Sequence, residues 1–135
     1  MTGCPARRAA IVDLVGPTLE AGLSALSAVG LADATLIERT PAELSTGQRA
    51  RLVLAIGLSG LTPERWLLID ELGSGLDLPT AESIAHALAK RIRSTGGRLV
   101  VATSRDELLD ALQPEAVVWQ PLGDEADLVT LGSAP

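Results

Sequence analysis

Trp66-Leu67-Leu68-Ile69 is an unbroken apolar run that ends in two acids, Asp70 and Glu71, and no other stretch constrains the fold as tightly. A run this short, without polar alternation and stopped by charge, fits a strand covered on both faces, as strands of parallel sheets are. Leu99 to Ala102 has the same character. Between them Pro79 opens a helical period that sets Ile84, Ala85, Leu88 and Ile92 on one face, and Gly96-Gly97 closes it. Strand, helix and strand in that order predict an α/β layer with parallel strands. Asp106 to Leu112 is expected as a short helix, Ala116 to Trp119 as a strand, and Asp127 to Leu131 as an edge strand.

The first sixty residues read as helical. Leu19, Leu23, Leu26 and Val29 recur at helical spacing from Thr18, and Gly30 is the expected stop. Leu31 to Glu43 reads as a connection. Ser45-Thr46-Gly47-Gln48 then opens a second helix through Leu52, Val53 and Ile56 to about Leu58. That helix is apolar on most sides beyond Arg51, so it is expected to be largely buried. With no Phe or Tyr, the core has to be built from Leu, Val, Ile and Ala. The whole chain of 135 residues reads as one domain's worth of sequence, with a helical region over 14–60 and an α/β region over 61–131.

Composition excludes several functions. A net charge of −6 and a pI near 4.7 lack the basic footprint of a general nucleic-acid binder. Cys4 and His86 are the only residues of their kinds, which excludes a cysteine cage, an internal disulfide and a histidine-rich metal site. His86 reads as a surface residue, and Cys4 and Gly132 to Pro135 as loose ends. No apolar run reaches the ~18 residues of a membrane span, and Met1 to Arg8 does not lead into a signal-peptide core, so a cytoplasmic location is expected.

Three segments carry chemistry. Ser45 and Gln48 fit a capping box at a helix start, yet a hydroxyl, a bare glycine backbone and a helix dipole at one point also make an anion site. Asp70 and Glu71 sit where a strand delivers carboxylates to the ligand edge of an α/β sheet. One acid of such a pair can support Mg²⁺ through water and the next can deprotonate an attacking water; a solvated pair ending a strand is the plain alternative. Ser74-Gly75-Leu76-Asp77, just beyond, reads by itself as a turn leading into a helix.

Taken together and in this order, the segments resemble the ABC ATPase family. Leu44-Ser45-Thr46-Gly47-Gln48 looks like its signature motif LSGGQ, WLLIDE like its Walker B with the catalytic glutamate, and SGLD like its D-loop. The stretch DELGSGLDLPT is similar to the family's DEPTSGLDPxT without a gap. The resemblance implies ATP and Mg²⁺ as ligands and a partial P-loop NTPase core with a helical signature subdomain. It implies Asp70 at the metal, Glu71 as general base and Asp77 in communication across a dimer. Leu44, Ser45, Thr46, Gly47 and Gln48 would then lie at a nucleotide, with Ser45 and Gly47 toward the γ-phosphate held by a second ATPase unit. Arg105 aligns with the family's switch histidine (Ser104 in the alternative register) and would be a γ-phosphate contact.

The match departs from the family in places. No G-x-x-x-x-G-K-[ST] occurs in these residues, and Lys90, the single lysine, has no glycine loop before it. The nest of N–H groups and the lysine that grip the β- and γ-phosphates are therefore expected from a Walker A-bearing ATPase half or an intact ABC ATPase subunit. A homodimer is a further possible assembly. Leu72 and Gly73 replace the family's Pro and Thr, which is expected to loosen the turn. The alternative to a half-enzyme is a non-catalytic module that docks on an intact ATPase. Chromosome-structure ATPases, which join distant halves through coiled coils, fit poorly because no sustained heptads occur.

Overall fold

The computed structural model describes residues 9–131; Cys4 and the segment Gly132 to Pro135 lie outside the described residues. A short helix α1 (Ile11–Leu14) precedes α2 (Leu19–Ala28), which starts where Thr18 accepts a hydrogen bond from the Ala21 N–H at 3.2 Å. The region 31–43, expected as a plain connection, holds a further short helix α3 (Ala34–Ile37) and a 3₁₀ turn (Pro41–Glu43). Each has its own cap: Asp33 accepts from Thr35 N–H at 2.7 Å, and Glu43 accepts from Thr40 N–H at 2.7 Å. These polar residues compete for local backbone groups, which is why the segment is punctuated rather than extended.

Helix α4 (Thr46–Ser59) is the one opened by the Ser45 segment, and it packs against α2. Leu52, Ala55 and Leu58 are its buried residues, while Val53 and Ile56 are 66% and 41% exposed. The expected all-round burial is thus corrected: one face is covered by α2 and the opposite face is bare. Gly57 lets α4 approach the sheet, since a Cβ there would meet Leu67 Cδ1 at 2.9 Å.

Strands β1 (Trp66–Ile69) and β2 (Arg98–Val101) pair in parallel, Trp66 opposite Arg98 through Ile69 opposite Val101, as the alternation required. Between them runs α5 (Leu78–Thr95), which buries Ala81, Ile84, Ala85, Leu88 and Ala89 and ends at Gly96, whose φ of 68° only a residue without Cβ adopts cheaply. Helix α6 (Leu108–Leu112) packs on α5. The strands are not buried on both faces. Leu67, Ile69, Leu99 and Val101 pack on the core, whereas Trp66, Leu68 and Val100 are 56%, 73% and 46% exposed. The Arg98 guanidinium, 5.2 Å from the Trp66 ring, covers part of that outer face. The last strands, β3 (Ala116–Trp119) and β4 (Asp127–Thr130), pair with each other in antiparallel register. Asp127–Thr130 is therefore one arm of a separate hairpin, not an edge of the parallel pair. Among the described residues no helix is long and apolar enough to cross a membrane.

Candidate functional site

The residues singled out in the sequence fall at two places. The first is the start of α4. Ser45 is extended at φ −62°, ψ 164°, and its hydroxyl accepts from the Gln48 N–H at 3.2 Å. Gln48 returns the bond through Oε1, which accepts from the Ser45 N–H at 2.9 Å. The capping box therefore forms, and it fixes the direction in which the helix dipole points. Leu44, only 4% exposed, anchors the segment in the core, and its carbonyl accepts from Arg49 Nη2 at 3.2 Å. Thr46 and Gly47 face solvent, and a Cβ at Gly47 would meet nothing within 4 Å. The start of α4 is a capped, unobstructed helix N-terminus.

The second place is the carboxyl end of the parallel pair. The strand ladder runs on past both strands: Ala102 N–H donates to the Ile69 carbonyl at 2.9 Å and Leu72 N–H to the Ala102 carbonyl at 3.1 Å. Asp70 and Glu71 lie between those two bonds and are exposed. Glu71 takes the left-handed conformation, φ 51°, which disfavours residues with a Cβ. Its backbone is held there by neighbours on both sides. Leu72, 5% exposed, is driven into the core, and Gly73 follows at φ 82° with Ala81 Cβ, Leu108 Cδ1 and Arg105 Cδ all within 3.5 Å of where its own Cβ would stand. The turn is thus tied down, against the expectation that Leu72 and Gly73 would loosen it.

From there the chain makes two tight turns, Ser74 N–H to the Glu71 carbonyl at 3.0 Å and Leu76 N–H to the Gly73 carbonyl at 3.1 Å, and reaches Asp77. Asp77 caps α5: Oδ1 accepts from the Thr80 N–H at 3.0 Å and Oδ2 from its hydroxyl at 2.8 Å. These bonds, the backbone one first and with the nearby Arg105 guanidinium adding to them, hold the Asp77 carboxyl below the usual aspartate range.

A mainly polar cleft of about 280 Å³ opens beside this loop, lined by Glu71, Leu72, Ser74, Gly75, Thr103, Ser104 and Arg105. Glu71 and Arg105, both flagged in the sequence, are brought together here. None of Leu44 to Gln48 lines the cleft, so within one chain the two places stay apart. Ser74 and Gly75 come from the turn segment already singled out, and Ser104 from the alternative register of the switch position; only Thr103 had no role assigned from sequence, and the parallel register sets it with Ser104 and Arg105 beside Glu71. Among the described residues no group of three or more His, Cys, Asp or Glu side chains could cage a metal. A lone exposed acid such as Asp70 does suit Mg²⁺, which keeps several waters and takes one or two carboxylates together with phosphate oxygens.

Several curated ATP-binding proteins are similar to parts of this sequence. Over 95 residues, 70% of this chain, it is 33% identical to the lipoprotein-releasing system ATP-binding protein LolD of Nitrobacter hamburgensis, of which the match covers 39%. It is 36% identical to the methionine import ATP-binding protein MetN of Rhizobium meliloti over 125 residues, 93% of this chain and 31% of that protein. With the ABC transporter ATP-binding protein ARB1 of Saccharomyces cerevisiae it shares 40% identity over 77 residues, 57% of this chain and 12% of the relative. The matched stretch thus spans well under half the length of each of these curated relatives. No protein-family model matches the chain. A parallel strand pair whose first strand ends in two carboxylates, together with these relatives, shows that the chain carries an ABC ATPase-like region.

Proposed function

We propose that this chain contributes the signature segment, a metal-supporting aspartate and a general base to a composite ATP-hydrolysing site completed by a Walker A-bearing part. The single observation that carries the reading is the exposed Asp70-Glu71 pair at the carboxyl end of β1, beside a polar cleft that includes Glu71. In this reading residues 14–60 form the signature region and 61–131 the Walker B region. Leu44, Ser45, Thr46, Gly47 and Gln48 present the start of α4 to the γ-phosphate of a nucleotide held by a second unit, where open N–H groups and the helix dipole favour anions. Asp70 holds Mg²⁺, which neutralises charge on the phosphates when bound. Glu71 accepts the proton of the attacking water. Asp77 relays contact between the two units, and the working location is cytoplasmic.

The reading is tested by ATP hydrolysis with and without a Walker A half taken from one of the relatives. The chain alone is expected to be inactive, and the mixture to turn over. Glu71→Gln should abolish that turnover while leaving complex formation intact. If no Walker A-bearing partner restores hydrolysis, the composite-site reading fails. The bare outer face of Trp66, Leu68 and Val100 supports the second reading, a non-catalytic module docking on an intact ATPase. In that case Glu71→Gln would change nothing that can be measured.

A further inference from the structure

Arg105, which the resemblance aligns with the family's switch histidine when Ser104 is not taken in that register, has its guanidinium engaged. Nη2 donates to the Leu76 carbonyl at 2.8 Å, a contact between residues 29 apart in sequence. Two positions earlier, the Thr103 hydroxyl donates to the Leu72 carbonyl at 3.0 Å, across 31 residues. The same Thr103 oxygen accepts from the Arg105 N–H at 3.1 Å, which joins the two contacts into one unit. Leu72 and Leu76 bracket the turn that follows Glu71 and leads to Asp77. Gly73, between them, leaves room for the Arg105 side chain, whose Cδ lies 3.5 Å from the position a Cβ would take.

We infer that Arg105, with Thr103, is a positioning residue that clamps the Glu71–Asp77 loop at two points and so fixes the left-handed Glu71 and the start of α5. This rests on the reading of Glu71 as the base, but the contacts of the clamp lie entirely within this chain. A charged donor on a carbonyl contributes more than a neutral one, and the left-handed backbone at Glu71 is the kind of strain that persists only where neighbours over-determine it. Thr103 and Arg105 supply that from the second strand.

The test is amide hydrogen exchange of Ser74 and Leu76 in the full chain, with amides in the middle of α5 as the internal reference. Arg105→Met should speed exchange at both loop positions roughly ten-fold, the scale of one lost charge-assisted bond, and leave α5 unchanged. Arg105→Lys, which keeps a charged donor, should recover part of the protection. Unchanged exchange at Ser74 and Leu76 in Arg105→Met overturns the clamp. If exchange rises in α5 as well, Thr103→Val decides, since it cuts the Leu72 tie and the bond from the Arg105 N–H but leaves Arg105 Nη2 on Leu76: faster exchange at Ser74 with α5 unchanged upholds the clamp, and no change at Ser74 overturns it. In a reconstituted ATPase, Arg105→Met should lower kcat and leave the KM for ATP in place; a raised KM with an undisturbed loop would mark a phosphate contact instead. Because the exchange experiment needs no turnover, the clamp can fail while the ATPase reading stands, and the reverse.

Discussion

The start of α4 and the loop after β1 both present functional groups at the end of a regular element, yet they are held in opposite ways. At Ser45–Gln48 the fixing bonds join residues three apart. At Glu71–Asp77 the ties to Thr103 and Arg105 cross 31 and 29 residues. The first is a local structure that any helix with that sequence would form. The second exists only once β1 and β2 have paired and brought Ala102 to Arg105 alongside. A local cap can keep its shape when partners come and go, whereas a loop tied through a second strand reports on the integrity of the whole sheet.

The comparison breaks most visibly at Leu72. This side chain is the core anchor of the tied loop, and Leu72→Ala should cost about 2–5 kcal/mol in a denaturant titration. No single change at the start of α4, short of removing the equally buried Leu44, should approach that. Gly73→Ala comes next. It forces a Cβ onto φ 82° and to 3.1 Å from Ala81 Cβ, for an expected loss of about 1–3 kcal/mol by the same measurement. Ser45→Ala removes one cap bond and should cost about 1 kcal/mol, with fraying confined to the first turn of α4 by amide exchange.

A pH titration sharpens the contrast further. The Asp77 carboxyl lies below its ordinary value in the folded chain, so its capping contribution is complete above the ordinary aspartate pKa of about 3.9 and is lost as the pH falls below that through the depressed value. Asp77→Asn should keep a cap but lose that acid-sensitive component, seen as a flatter stability profile below about pH 4. Ser45, which does not titrate, gives the α4 cap no such dependence. The smallest effect is expected at Gly47→Ala, where open space surrounds the position: stability unchanged or raised by about 0.5 kcal/mol. A loss as large as that of Gly73→Ala would mean the two glycines are not the different kinds of position described above.

Much of the fold was legible because its signals are short-range. The helical spacing from Thr18, the Ser45 box, the Pro79 start and the Gly96 stop each mark a boundary within a few residues, and the structure has helices at those places. The parallel pair was legible from the apolar runs with a helix between them. What misled was coverage. An apolar run says that a strand can be buried on both faces, not that something covers both, and Leu68 and Val100 are exposed. The same holds for Val53 and Ile56 on α4. Asp127–Thr130 was readable as a strand but not as the partner of Ala116–Trp119, because pairing direction depends on how the intervening chain turns at Gly123 rather than on the strands themselves.

Which residues could do chemistry, and where each element begins, follows from the order of amino acids alone. Caps, breakers and apolar periods act within a few residues, and the order of the signature-like, acid-pair and turn segments can be read without a structure. The folded chain alone reveals that Arg105 bonds to Leu76, that Glu71 sits in a left-handed conformation beside a polar cleft, and that the start of α4 lies outside that cleft. Those facts depend on which atoms meet across some thirty residues of chain. That is set by strand register and core packing, and neither leaves a mark in the local sequence around Arg105.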